Sequence, residues 1–93
     1  MDYKVKEEKE MLILTENNID VAYLKYTEDE EKDFIIESIF VDEKYRGKGL
    51  AKIIFDEFIE KVKKENRKVI PVCSYAKSQF EKIEGIQKLL KKK

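Results

Sequence analysis

The sequence predicts an α+β domain in which an antiparallel strand meander leads into a β-α-β crossover and a carboxy-terminal helix. Three observations carry this. Short apolar runs at 11–14, 19–26 and 34–41 are separated by turn material. A longer segment, 47–65, repeats apolar residues at three- and four-residue spacing, the period of a helix with one buried face. One further apolar run, 68–73, follows it, and strand, helix, strand in that order form a right-handed crossover with parallel strands. The 93 residues make one domain, 1–93. Domains of roughly 60 residues already fold alone, so the available core is sufficient.

Taken in order, Tyr3-Lys4-Val5-Lys6 alternates but is short and lysine-rich, which leaves a frayed start or a first strand open. Segments 10–15 and 19–27 read as an antiparallel hairpin around Asn17-Asn18, residues tolerant of left-handed backbone. The acidic stretch from Thr27 to Asp33 is a second turn, and Phe-Ile-Ile-Glu-Ser-Ile-Phe-Val over 34–41 is a mostly buried strand. In the helical segment Leu50, Ala51, Ile54, Phe55, Phe58, Ile59 and Val62 form the apolar stripe, and acids and lysines fill the other face. Asn66-Arg67 ends it. In 68–73, Pro71 cannot donate to a ladder, so that strand is edge-like or splayed at that point. Ser74 is expected to cap a helix over 75–83 through its hydroxyl, with Gly85 ending or breaking it. Ile86, Leu89 and Leu90 suggest one more short amphipathic turn, and Lys88, Lys91, Lys92 and Lys93 read as a solvated, loose end.

Composition narrows the function classes. Charged residues are 43% and hydrophobic ones 42%, enough apolar material to argue against disorder. Lys+Arg 20 balances Asp+Glu 20, so no basic excess supports nucleic-acid binding. One cysteine cannot form an internal disulfide. No apolar run follows Met1 and none is long enough to span a bilayer, so neither a signal peptide nor a membrane partner is expected. Together these point to the cytoplasm. The chain has no histidine, the commonest general base and metal ligand, and a zinc site would need ligands it lacks; no metal is expected.

The stretch with most chemical content is Val41-Asp42-Glu43-Lys44-Tyr45-Arg46-Gly47-Lys48-Gly49-Leu50-Ala51, a strand end, a glycine-bearing turn and a helix start. The first N–H groups of a helix have no intrahelical partner and carry partial positive charge, so a phosphate docks there readily. Gly47 and Gly49 allow positive φ and close approach, and Arg46, Lys48 and Lys52 add charge. The bland alternative is a helix entry that merely uses glycine. Arg46-x-x-Gly49-x-Ala51 after a strand resembles the acetyl-coenzyme A signature of the Gcn5-related N-acetyltransferases, Arg/Gln-x-x-Gly-x-Gly/Ala. The resemblance implies that backbone amides of Arg46, Gly47, Lys48, Gly49, Leu50 and Ala51 hold the coenzyme A pyrophosphate. It further implies that Ile39, Phe40 and Val41 pair with the pantetheine arm. On this view the fold is a shortened version of that family's, without its usual first helices and last strand pair.

Pro71-Val72-Cys73-Ser74-Tyr75 forms a second constellation at the end of the parallel strand. Ligands of open α/β sheets bind beyond the carboxyl ends of strands, so the glycine turn and the thiol are expected to face one crevice. A thiol at a helix amino-terminus can be activated as a thiolate, against the plain reading of a small buried hydrophobe. The two motifs together resemble a subfamily of small stand-alone acetyltransferase-like proteins, over about residues 10 to 82. That likeness makes Cys73 the candidate catalytic residue, either accepting acetyl as a thioester or protonating the leaving thiolate. Tyr75 is a candidate contact to the thiolate, or a half-buried aromatic. Those relatives often carry His-Thr before the central valine, where this chain has Ser38-Ile39-Phe40-Val41. Glu37 and Ser38 are the nearest polar substitutes, and period-two alternation sets them on opposite faces.

The expected function is therefore an acetyl-coenzyme A-dependent N-acetyltransferase acting on an unidentified amine, with acetyl-coenzyme A as cosubstrate. Two other readings stand beside it: a non-catalytic module that binds or senses acyl-coenzyme A, and an interaction domain that recruits a partner strand to its sheet edge.

Overall fold

A computed structural model of the chain describes residues 3–92. Its strands are β1 (Tyr3–Glu8), β2 (Met11–Glu16), β3 (Ile19–Glu28), β4 (Phe34–Val41) and β5 (Val69–Pro71); its helices are α1 (Leu50–Glu65) and α2 (Ser74–Lys82). Single 3-10 turns occupy Glu43–Tyr45 and Gln87–Leu89. The sheet order is β1-β2-β3-β4-β5, antiparallel through β4 and parallel between β4 and β5. The α+β reading holds, and the open choice at the start resolves to a strand: β1 pairs with β2 from Tyr3↔Glu16 to Glu8↔Met11. The β2–β3 hairpin turns through Asn17 and Asn18, at φ 51° and 66°. Two successive positive φ values match the right-handed twist of the flanking strands, and asparagine tolerates them.

Both helices pack on one face of the sheet. Leu50, Ile54, Phe55, Phe58, Ile59 and Val62 of α1 are buried against Leu12, Leu14, Leu24, Phe34 and Ile36. Phe55 meets Tyr75 and Phe80 of α2 edge-to-face, at 6.3 and 5.7 Å between ring centroids. Each such fully buried side chain contributes about 1.5–3 kcal/mol relative to exposure. The exposed Lys52–Asp56 pair on the other side of α1, at 2.6 Å, contributes at most a few tenths. Packing, not surface charge, therefore holds α1 in place. Asn66, at φ 55°, closes it, with the Arg67 N–H donating back to the Val62 carbonyl.

Several boundaries differ from expectation for identifiable reasons. Helix α1 starts at Leu50 rather than Gly47, because Gly47 and Gly49 sit at φ +81° and +76°, outside the helical region. Strand β5 stops at Pro71 rather than residue 73; the Val72 and Cys73 N–H groups both turn onto the Ile36 carbonyl, at 3.0 and 3.1 Å. Ser74 is the first residue of α2, not its cap: Cys73 holds that position, with no side-chain capping bond. The tail is not loose as far as Lys91. Leu90 pairs with Val69, the Lys91 N–H donates to the Val69 carbonyl, and the Lys91 ammonium lies among Asp29, Glu31 and Asp33. Lys92 is exposed, and Lys93 lies outside the described residues.

Candidate functional site

The site is built on the part of β4 that outruns its neighbour. Pairing with β5 ends at Ile36↔Pro71, while β4 continues to Val41. The direction of the backbone groups follows from the hydrogen bonds. The Phe34 N–H donates to Lys68 and the Ile36 carbonyl accepts from Val72 and Cys73, so both point toward β5. The Asp42 N–H donates to the Val21 carbonyl of β3. Counting back from Asp42, Val41 and Ile39 turn their backbone groups away from β3, toward the open edge, and Phe40 toward β3. Of the three residues expected to pair with a ligand's arm, Ile39 and Val41 thus present backbone groups to the gap.

A bulge shapes this edge. Pairing jumps from Lys25↔Ser38 to Tyr26↔Ile36, leaving Glu37 without a β3 partner. The slip changes the alternation: Phe34 and Ile36 belong to the core, and beyond the bulge Ile39 and Val41 pack against the same core. Glu37 and Ser38 therefore share the face away from the helices, which corrects the expectation that they oppose each other. Glu37 accepts a hydrogen bond there from the Thr27 hydroxyl at 2.8 Å. The sequence held a signal for this, because two adjacent polar residues interrupt an otherwise continuous apolar run.

At the end of β4, Asp42 accepts from the Lys44 N–H at 3.0 Å and opens the 3-10 turn Glu43–Tyr45. The exposed turn of Arg46, Gly47, Lys48 and Gly49 leads into α1. The first bond into the helix is from the Ile53 N–H to the Gly49 carbonyl at 3.2 Å, so the N–H groups of Leu50, Ala51 and Lys52 precede it. The three nearby cations do not simply point outward. Arg46 donates from Nε to the Val41 carbonyl at 3.1 Å, with its guanidinium carbon 5.7 Å from the Phe40 ring centre. Lys48 lies 5.3 Å from the Tyr45 ring centre, and Lys52 is paired with Asp56. With these cations engaged, the positive character of the turn rests first on its backbone N–H groups and the helix dipole.

Cys73 is half-buried, packed against the core, and beside Ile36 through its N–H. It and the glycine turn lie toward the two ends of one open strand edge, separated by roughly 15 Å of β4. Tyr75 turns its ring onto Phe55. Burial pushes its phenol up, Lys52 opposes this, and Asp56 and Cys73 add to it, so Tyr75 keeps its proton at neutral pH. The larger surface depressions lie elsewhere. One of them, about 590 Å³, sits between β1 and α1 and is lined by Val5, Glu7, Leu12, Glu57, Lys61 and Lys64 among others. Among the described residues, Asp29, Glu31 and Asp33 are the one grouping with metal-like spacing, and Lys91 already contacts all three.

The sequence profile described as GCN5-related N-acetyl-transferase matches residues 1–89. The chain belongs to this family. Among solved structures, a GCN5-like candidate N-acetyltransferase from Staphylococcus aureus is similar over 95% of this chain and 87% of its own, at 22% identity and a TM-score of 0.75. A ribosomal-protein-alanine N-acetyltransferase from Brucella melitensis biovar Abortus 2308 matches at 18% identity and a TM-score of 0.63, covering 78% of this chain and 59% of its own. An acetyltransferase predicted for Clostridium acetobutylicum, solved with acetyl-CoA, matches at 17% identity and a TM-score of 0.56, covering 89% and 62%. At these identities the likeness is one of fold. No curated protein matches the sequence. This family member is thus a small acetyltransferase whose sheet carries both its helices on one side.

Proposed function

We propose that this acetyltransferase binds acetyl-coenzyme A along the open edge of β4 and transfers the acetyl group to an amine, with Cys73 as the chemical residue. The observation that carries the reading is that edge itself, with unpaired helix-start amides at one end and a thiol at the other. The diphosphate rests on N–H groups of residues 46–51. The pantetheine arm, an extended chain with two amides and a length of the same order as the roughly 15 Å of strand, pairs with the Ile39 backbone and the Val41 N–H, the Val41 carbonyl already accepting from Arg46. The thioester then lies near Cys73. In the direct route the neutral amine attacks the thioester carbonyl, the C–N bond forms and the C–S bond breaks; Cys73 gives its thiol proton to the departing coenzyme A thiolate and takes back the proton that the amine nitrogen sheds. In the alternative route the Cys73 thiolate first attacks the thioester carbonyl and displaces the coenzyme A thiolate, which takes up the proton Cys73 gave up; the amine then attacks the acetyl-Cys73 thioester, its nitrogen losing a proton to the departing Cys73 thiolate. Tyr75, protonated and adjacent, is a second contact to the departing sulfur.

Replacing Cys73 by Ala separates chemistry from binding. Turnover is expected to fall to background while coenzyme A affinity stays within about twofold, since the thiol contributes little to a diphosphate contact. Lost affinity with unchanged turnover per bound ligand would overturn the assignment. A second reading, a module that holds acyl-coenzyme A without transfer, draws on the packing of Cys73 against the core and the lack of histidine. Mass spectrometry after incubation with acetyl-coenzyme A distinguishes them: an acetyl adduct on Cys73 or an acetylated amine supports the enzyme, and binding with neither supports the module.

A further inference from the structure

We infer that Arg46 serves the glycine turn as a strut, a positioning residue, and not as a ligand of the bound anion. The inference deepens the reading of residues 46–51 as the diphosphate turn and rests on it. The residue leading that turn is an arginine, and the simple expectation is that its charge faces the phosphates. Its side chain is instead committed backwards. Nε donates to the carbonyl of Val41, the last residue of β4, and the guanidinium lies over the Phe40 ring. Phe40 is 43% exposed and stacks on Tyr23 of β3, with ring centroids 5.3 Å apart and planes 24° apart. The ring pair is therefore a platform on the helix-free face of the sheet, and Arg46 reaches onto it from the turn. The closure spans residues 41–46, already stiffened by the Asp42–Lys44 bond and by the Tyr45 N–H donating to the Asp42 carbonyl at 2.8 Å.

The consequence is preorganisation. Gly47 and Gly49 are both at positive φ, and a built Cβ at either meets nothing within 4 Å. The space beside the two glycines is open, and glycine has the widest conformational range to lose. An anion site made of backbone N–H groups needs them fixed before the ligand arrives, or binding bears the ordering cost. The contact that fixes them here joins the residue before Gly47 to the strand end. Lysine cannot replace it, since an ammonium has neither the planar face to lie on a ring nor the Nε–H at that position.

The test compares Arg46→Lys, which keeps the charge, with Phe40→Leu, which removes the platform and leaves the charge untouched. Each is expected to raise the Kd for coenzyme A about fivefold, the size set by one exposed cation–π contact and one charge-assisted hydrogen bond. The double variant is expected to be no weaker than either single one, because both break the same strut. In the unliganded chain, amide hydrogen exchange at residues 47–51 is expected to quicken in both variants, with the protection of α1 beyond its first turn unchanged; that unchanged core also shows the variants fold. Wild-type affinity in Arg46→Lys, or a loss there that Phe40→Leu does not share, would assign Arg46 to the ligand and sink the strut. Unaltered exchange in both variants would sink it independently of coenzyme A. A wild-type chain with no affinity for coenzyme A removes the function reading, and the exchange measurement still decides whether the strut exists.

Discussion

Gly49 shows how one residue's backbone sets the geometry of a site. Its φ of +76° costs glycine little and an L-residue about 1–2 kcal/mol. Because a Cβ there meets no neighbour within 4 Å, the penalty for Gly49→Ala is conformational and not a clash. Urea unfolding of the unliganded variant is expected to show a loss of about 1 kcal/mol. Coenzyme A titration is expected to show a further loss, since the turn relaxes away from the shape that aims its N–H groups. Undiminished stability would mean the turn adopts another backbone conformation without cost. Of the residue-level features, the positive φ of Gly47 and Gly49 was readable in sequence because it follows from residue type. The orientation of Arg46 was not, because its partners Val41 and Phe40 are fixed by where β4 ends.

At the scale of elements, the docking of the carboxy-terminal segment on the β3–β4 turn is the clearest device. Lys91 contacts Asp29, Glu31 and Asp33, and Asp29 also accepts from the N–H groups of Glu31 and Asp33, both at 2.9 Å. The hydrogen bond from Lys91, then the N–H of Asp33, hold the Asp29 carboxyl below its usual range. The hydrogen bonds to Asp29 and Glu31 push the Lys91 ammonium up. The signs fix a window. A depressed carboxyl contributes stability above its unfolded pKa near 3.9 and loses it as pH falls through the folded value. A raised ammonium contributes fully below its unfolded pKa near 10.4 and loses it as pH rises through the folded value. The latch is therefore intact from about pH 4 to about pH 10. Lys91→Ala, which leaves three carboxylates facing one another, is expected to melt lower than wild type at pH 7, with the deficit shrinking below about pH 4 as they take up protons. An equal deficit at pH 7 and pH 3 would show that the contact is packing alone. Element identities were legible from period: α1 from its three- and four-residue repeat, β4 from its apolar run. The end of β5 was half legible, since Pro71 announced a splay but not that Val72 and Cys73 would share one carbonyl.

For the whole molecule, the described helices pack on one sheet face, and β4 runs on past the end of β5. A ligand that bridges the glycine turn and Cys73 ties α1, β4 and the start of α2 together, so binding and stability are linked. At coenzyme A tenfold above its Kd, mass action adds about 1.4 kcal/mol, which for a domain of this size is a rise in Tm of roughly 6–11 °C. A flat melting temperature at millimolar coenzyme A would remove the ligand from the account and leave the sheet-edge interaction domain as the better reading. By itself the sequence determined what local pattern encodes: the strand meander, the amphipathic α1, the crossover, and a glycine turn with free amides at its helix start. It did so because burial of one face imposes a period on neighbouring residues, whichever partner that face meets. Only the tertiary structure decided the Glu37 bulge, the laying of Arg46 over the Phe40 ring at the end of β4, and the capture of Lys91 sixty-two positions away from Asp29. Those depend on which strands align and how far one outruns the next, and strand register is settled by contacts between residues distant in the chain.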